Sequence, residues 1–390
     1  MTTRKPGLLM ITQLFLPTKG GTAVSFHDDF SRLGGKEVHI VTERVPGDRE
    51  FDATHPNTIH RLTLRRRAWL KPESLPIYVK LLGKSLWLAL TRPIQAVFAG
   101  RALPEGLVAL VVGRLRRRPV LIYAHGEELT GWGRGRKFQA MCFTLRRCDH
   151  VLSNSDHTRD TLIELIGVAP EKIAVVYPTV DENRFHPAPP PEDLRASIGL
   201  QPDQPLILSV GRLMPRKGFD QVIRALPRLV EAGLDVHYAI IGTGDDRERL
   251  ERLARETGAT DRVHFLGHVS YEDLPRWYNA SQVFAMPNRD IDGDTEGFGL
   301  VFLEAAAAGV PALAGRAGGT GSAVIDGETG LRVDGERLDQ VVAGLQRLLS
   351  DRDLSETLGR NARRRVLDHF IHQRRVDQLR RLAGLADPRE

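Results

Sequence analysis

Glu296 and Glu304 bracket the stretch Glu296-Gly297-Phe298-Gly299-Leu300-Val301-Phe302-Leu303-Glu304, with glycines on both sides of Phe298 and a run of alanines, Ala305 to Ala308, behind it. The pattern predicts a loop running into a helix. Glycines just ahead of a helix let backbone N–H groups approach an anion closely, and a helix N-terminus favours negative charge. A carboxylate does not welcome a phosphate, so the two glutamates need a different task, most simply accepting hydrogen bonds from hydroxyls. Phosphate at the backbone of Gly297, Phe298, Gly299 and Leu300, with hydroxyls at Glu296 and Glu304, describes a nucleotide-sugar.

A second group points to the same ligand. In Ser209-Val210-Gly211-Arg212-Leu213-Met214-Pro215-Arg216-Lys217-Gly218 a strand ends in glycine and two cations, Arg212 and Lys217, follow before a helix. Two such cations form a natural grip for a diphosphate, because each can meet charge developing on a departing nucleotide. Arg216 reads as a solvated neighbour. His125-Gly126 follows the strand Pro119–Ala124, so His125 either faces a ligand at the strand's carboxyl end or is satisfied by backbone. No Cys or Ser is placed to form a triad with it, which leaves contact and polarisation rather than base catalysis.

Glycines between strand and helix recur. Gly20 and Gly21 follow the first strand, where a doubly wound sheet binds ligands. Gly242 and Gly244 form only a fragment of a dinucleotide fingerprint, since Arg247 occupies the final glycine position. His264 and His268 lack a convergent third metal ligand. Asp290-Ile291-Asp292-Gly293-Asp294 fails as an EF-hand, with Thr295 at the glycine position and Val301 at the twelfth, and reads as a polar loop leading to Glu296.

These groups must be positioned by sheets. Short apolar runs at Leu8–Phe15, Glu37–Thr42, Ile94–Ala99, Pro119–Ala124 and His150–Ser153 alternate with helical patterns, and Leu206–Val210, Val236–Ile241, Val263–Leu266, Gln282–Met286 and Pro311–Ala314 repeat the scheme. Such alternation predicts an α/β chain of two doubly wound, Rossmann-like domains, and 390 residues suit two domains of ordinary size. Phe185-His186-Pro187-Ala188-Pro189-Pro190-Pro191 marks a stiff connection. The expected division is 1–184, a linker at 185–192, 193–370, and a C-terminal helix in 371–390 free to pack back on the first domain.

Composition narrows the setting. No apolar run is long enough to cross a bilayer, and Leu8 to Leu16, broken by Thr12 and Gln13, reads as a strand rather than a signal peptide. The two cysteines, Cys142 and Cys148, read as small buried hydrophobes in a reducing cytoplasm. Residues 1–185 carry 28 Lys and Arg against 18 Asp and Glu, a balance of +10, whereas 186–390 carry 27 against 31, a balance of −4. Arg61, Arg65, Arg66, Arg67 and Lys71 supply much of the excess, with Arg114, Arg116, Arg117 and Arg118. The asymmetry fits either an anionic partner or a solvated face. Ser74–Thr91, apolar apart from Lys80 and Lys84, fits either a helix lying in a membrane interface or an ordinary core helix with a wet rim. Nucleic acid is the weakest partner, because the basic residues lack interleaved stacking aromatics.

The E-x7-E spacing of Glu296 and Glu304 resembles the signature of the retaining glycosyltransferases of family 4, which have the GT-B fold of two Rossmann-like domains facing each other across a cleft. Gly211-Arg212-Leu213 with Lys217-Gly218, His125-Gly126, Gly20-Gly21, Gly242-x-Gly244 and Asp326-Gly327 also match, so the resemblance covers nearly the whole chain. It implies that Arg212 and Lys217 hold the pyrophosphate, that Glu296 holds the hexose and Glu304 the ribose, that His125 touches the transferred sugar, and that Gly242 and Gly244 border the nucleoside. The family pattern implies no protein-held metal, and front-face attack by an acceptor hydroxyl. The chain departs from it at Gly321-Ser322, where Pro and Glu are usual, and at Thr179, where glycine is common. Met286-Pro287-Asn288-Arg289 with its acidic insert resembles bacterial mannosyltransferases acting on lipid acceptors.

The expected activity is therefore transfer of a hexose from a nucleotide-sugar, GDP-mannose ahead of UDP-glucose or UDP-GlcNAc, to a lipid, lipid-linked or saccharide hydroxyl. The expected location is the cytoplasm, including the inner face of the cell membrane. A sugar-nucleotide epimerase, which would need carboxylates such as Glu127 and Glu128 on the first-domain wall, and a non-catalytic sugar-nucleotide binder are the alternatives. A pure binder has no need of His125 together with Arg212, Lys217, Glu296 and Glu304.

Overall fold

A computed structural model describes residues 6–18, 20–65, 73–126, 129, 133–201 and 203–385. The chain forms two compact units, Met1–Pro178 with His372–Glu390, and Thr179–Ile371. In the first, β1 (Gly7–Ile11), β2 (Val38–Glu43), β3 (Thr58–Leu62), β4 (Ile94–Ala99), β5 (Val120–Ala124), β6 (His150–Ser153) and β7 (Ile173–Val175) form a sheet of order β3-β2-β1-β4-β5-β6-β7. In the second, β8 (Leu206–Val210), β9 (His237–Ile241), β10 (Val263–Gly267), β11 (Val283–Met286), β12 (Ala312–Gly315) and β13 (Gly330–Val333) are ordered β10-β9-β8-β11-β12-β13. Every pairing is parallel.

Both sheets are covered on two faces, which is why their central strands are apolar throughout. Leu9, Ile11, Val97 and Ile122 pack on one side with Leu81, Leu88, Val108 and Met141. The alternate residues Leu8, Met10, Phe98 and Leu121 pack on the other with Phe26, Phe30 and Leu379. Strand order reverses between β1 and β4 and again between β8 and β11. Ligands of doubly wound sheets bind at such switch points, beyond the carboxyl ends of the strands.

The units divide ahead of the expected 185–192 linker. Phe185 is fully buried in the second unit, its ring 5.5 Å from Tyr271 and 5.8 Å from Tyr278. The backbone N–H of Ala188 donates to Asn279 Oδ1 at 2.9 Å, and Asn279 Nδ2 donates to the His186 carbonyl at 3.1 Å. The C-terminal helix His372–Leu382 falls in the first unit. There Arg375 Nε donates to Asp29 Oδ1 at 2.6 Å and Nη2 to Oδ2 at 2.8 Å, while Tyr123 Oη reaches Oδ2 at 3.2 Å.

Ser74–Thr91 is realised as the helix Leu75–Thr91, stopped by Arg92-Pro93 and burying Ile77, Leu81, Ser85 and Leu88. Arg61 differs from its expected place in an exposed basic cluster. Its guanidinium is buried and donates to Asp52 Oδ1 at 2.8 Å and to the Leu16 carbonyl at 2.6 Å. Arg66, Arg67 and Lys71 lie outside the described residues. Cys142 and Cys148 are buried, and burial pushes the Cys148 thiol up to about 12. Among the described residues no helix is long and apolar enough to cross a membrane.

Candidate active site

In the second unit the expected residues gather at the β8/β11 switch point. Gly211 follows β8, and a short turn, Pro215–Lys217, presents Arg216 and Lys217. Lys217 Nζ donates to Glu296 Oε2, and Arg216 Nη1 donates to the same oxygen at 3.0 Å. Burial alone would raise the Glu296 carboxyl, but the Lys217 and Arg216 charges outweigh it and hold the pKa below the ordinary carboxylate value. Glu296 is therefore an ionised acceptor beside two cations. Arg212 differs from its neighbours in being exposed, with no hydrogen bond or ion pair to the described residues. Its guanidinium is open to an incoming anion.

Arg216 is a correction to the sequence reading. It is buried rather than solvated, with Nε 3.1 Å from Asp294 Oδ1 in addition to its bond to Glu296. Among the described residues the acidic loop does not gather into a cluster of three or more potential metal ligands. Asp294 pairs with Arg216, and Asp290 Oδ1 accepts from the Gly293 N–H at 2.7 Å.

Glu296 is also held through its backbone. Its carbonyl accepts from the Gly319 N–H at 2.7 Å, and a Cβ on Gly318 (φ +67°) would overlap that same carbonyl oxygen. The Gly315–Ser322 turn thus serves to seat the glutamate. Asn288, fully buried two residues beyond β11, ties this turn to the sheet: Nδ2 donates to the Ala317 carbonyl at 2.8 Å and Oδ1 accepts from the Gly315 N–H at 3.1 Å. Where Pro and Glu are usual, Gly321 leaves room for the Arg332 guanidinium, and the Ser322 carbonyl accepts from Arg365 at 3.0 Å.

Beyond Glu296 the backbone Gly297-Phe298-Gly299 enters the helix Leu300–Ala307. The Phe298 side chain is buried 6.0 Å from the Phe370 ring, so this residue can offer a ligand only its backbone. Glu304, one turn into the helix, accepts from Tyr278 Oη at 2.6 Å. Burial pushes its carboxyl up to about 7, with the Tyr278 bond acting the other way. Gly242 makes room for the neighbouring βα turn, since a Cβ there would overlap the Gly211 carbonyl oxygen; Gly244 packs likewise against Leu213. His264 lies 3.0 Å from His237 Nδ1 and pairs with it rather than with His268, and burial holds it down to about 4.

In the first unit Gly20 and Gly21 lie at the β1 side of the switch point, at the start of the helix Gly21–Leu33. His125 follows β5. Its Nε2 lies 3.0 Å from the carbonyl of Gly100, the residue after β4. A carbonyl only accepts, so Nε2 carries a proton in this contact. Phe26 at 5.8 Å and Tyr123 at 6.2 Å fix the ring's orientation. Glu127 and Glu128 lie outside the described residues.

Two family models match the chain: Glycosyltransferase Family 4 over residues 20–184 and Glycosyl transferases group 1 over residues 191–365. The GDP-mannose-dependent alpha-(1-6)-phosphatidylinositol monomannoside mannosyltransferase of Mycolicibacterium smegmatis is 31% identical over 386 residues, covering 96% of this chain and 97% of that one. The chain is a family-4, group-1 glycosyltransferase. A D-inositol 3-phosphate glycosyltransferase of Streptomyces bingchenggensis is 34% identical over 223 residues, 55% of this chain and 48% of its own. HepE of Anabaena, solved in complex with UDP, superposes with a TM-score of 0.81 at 19% identity, covering 97% of this chain and 99% of that one. The fold of this glycosyltransferase is GT-B. Sequence reasoning missed Arg216, Tyr278 and Asn288. Only Arg216 left a signal, as the cation adjoining Lys217 on one short turn.

Proposed function

We propose that this glycosyltransferase transfers mannose from GDP-mannose, with retention of configuration, to a hydroxyl of a phosphatidylinositol mannoside or a closely similar lipid-linked acceptor at the inner face of the cell membrane. The observation that carries the reading is end-to-end similarity to the mycobacterial lipid mannosyltransferase, against similarity over about half the chain to the inositol 3-phosphate enzyme. Arg212, Lys217 and the Gly297–Leu300 backbone would stabilise charge on the departing diphosphate. Glu296 would hold mannose hydroxyls, Glu304 the ribose, and His125 the sugar. Because the site supplies its own cations, the proposal includes no protein-held metal, and a chelator should leave transfer intact. A thermal-shift panel tests the donor: selective binding raises apparent stability by mass action. GDP-mannose should raise Tm above UDP-glucose and UDP-GlcNAc, and a preference for a UDP-sugar would overturn the donor assignment.

A further inference from the structure

We infer that the outer face of three helices in the first unit, Leu75–Thr91, Leu107–Arg116 and Arg136–Arg147, docks on an anionic phospholipid bilayer. The inference deepens the lipid-acceptor reading and rests on it only for the purpose that docking serves. The three helices pack their buried stripes into one core layer on one side of the sheet, so their outer stripes point away from it together.

Those outer stripes are apolar. On Leu75–Thr91 the exposed positions Leu75, Val79, Gly83, Trp87 and Leu90 recur at helical spacing, with Lys80 and Thr91 exposed beside them, while the buried stripe includes Ser85. Val79 is 62% exposed, Trp87 48% and Leu90 66%. Val111 and Leu115 (65%) continue the face on the second helix, and Phe143 (50%) on the third. Among the described residues ten large apolar side chains are exposed, and seven of them lie on these helices. Concentration of this kind marks an interaction surface rather than ordinary scatter.

Charge identifies the partner. The three helices and the Arg117-Arg118 step contain Lys80, Lys84, Arg114, Arg116, Arg117, Arg118, Arg136, Lys137, Arg146 and Arg147, and no Asp or Glu. Lys84 Nζ sits 4.1 Å over the Trp87 ring, and the Arg147 guanidinium 4.8 Å from the Phe143 ring. Aromatic rings with cations stacked over them suit the headgroup level of a membrane, where the apolar part enters and the charge meets lipid phosphate. A polyanion such as nucleic acid would have no use for the apolar stripes. Two copies meeting face to face would bring like charges together without a counter-charge.

Co-sedimentation of the full chain with vesicles tests this. At low salt the protein should pellet with an equal mixture of phosphatidylcholine and phosphatidylglycerol, stay in solution with phosphatidylcholine alone, and be released as salt rises. Trp87→Ser with Leu90→Ser, and separately Arg116→Glu with Arg118→Glu, should each weaken vesicle binding about tenfold or more. Both should keep the wild-type Tm and nucleotide response, since all four side chains are exposed. Failure of the wild-type protein to bind anionic vesicles at low salt, or wild-type binding by either variant, overturns the inference. So does a dimer that dissolves in the Trp87 and Leu90 variant while vesicles are ignored, or retention on a DNA duplex in place of vesicles. Vesicle binding without transfer to any phosphatidylinositol mannoside supports the face and removes the acceptor assignment. Transfer to detergent-dispersed acceptor without vesicle binding does the reverse.

Discussion

Lys217 Nζ donates directly to Glu296 Oε2. The cation proposed for the diphosphate and the carboxylate proposed for the hexose are thus one hydrogen-bonded pair, which on that proposal would put both ends of the bond to be broken against the second unit. The ammonium has three donors, so it can keep Glu296 and still meet a phosphate oxygen.

Arg212 and Lys217 should separate in a stability measurement although they share a role. Replacing either by Ala should lower transfer by about two or more orders of magnitude, the scale for losing a charge-stabilising donor. Arg212→Ala should leave Tm unchanged, because the side chain is exposed and makes no bond to the described residues. Lys217→Ala should also lower Tm, because it strips a charge partner from a largely buried Glu296. Equal effects on Tm, or full activity in either variant, would refute the division.

Glu304 should make nucleotide binding depend on pH. Its carboxyl is pushed up to about 7. A ribose diol donates to the ionised form, so affinity for GDP should climb as pH rises through about 7 and level off above it. The same shift acts oppositely on stability. With the folded-state pKa above the unfolded value, the contribution is fully present at acid pH and is lost as pH rises through about 7. Calorimetric titrations across pH 6 to 8 should show that slope for the wild-type protein and none for Glu304→Gln. By contrast, Glu296→Ala should leave GDP binding nearly intact while crippling transfer.

The first unit should depend on its last helix through Arg375. The Arg375–Asp29 pair is buried and doubly hydrogen-bonded, and removing one partner of such a pair costs roughly 3–5 kcal/mol. Arg375→Ala should lower the unfolding free energy of the first unit by about that amount, read as a lower urea midpoint at unchanged m. An unchanged transition would show that the helix is held by its other contacts, the buried Val376 and Leu379 and the bonds from Gln378 and Arg380.

What could be read from the chain follows from burial. Central strands such as β1, β4, β5 and β8 are covered on both faces, so they appear as apolar runs. β3, β7 and β13 escaped notice as edge strands. Thr58–Leu62 and Ile173–Val175 are only half-buried, and Gly330–Val333 carries Arg332. At the candidate site, Arg212, Lys217 and Glu296 stood out because charged residues beside glycines in a βα turn have few structural uses, and Glu304 stood out only by its spacing from Glu296. Arg216 was misjudged because its partners, Asp294 and Glu296, are brought to it by β11 rather than by nearby sequence. Tyr278 acts through its bond to Glu304 and Asn288 through its two bonds to the Gly315–Ala317 turn, contacts between distant residues that no local pattern announces.

The most direct measurement is the product of incubation with GDP-mannose and a phosphatidylinositol monomannoside dispersed in detergent, analysed by mass spectrometry and NMR. The account predicts one added hexose per acceptor, linked with the α configuration of the donor retained. No transfer from GDP-mannose to this acceptor, or a β-linked product, would contradict it.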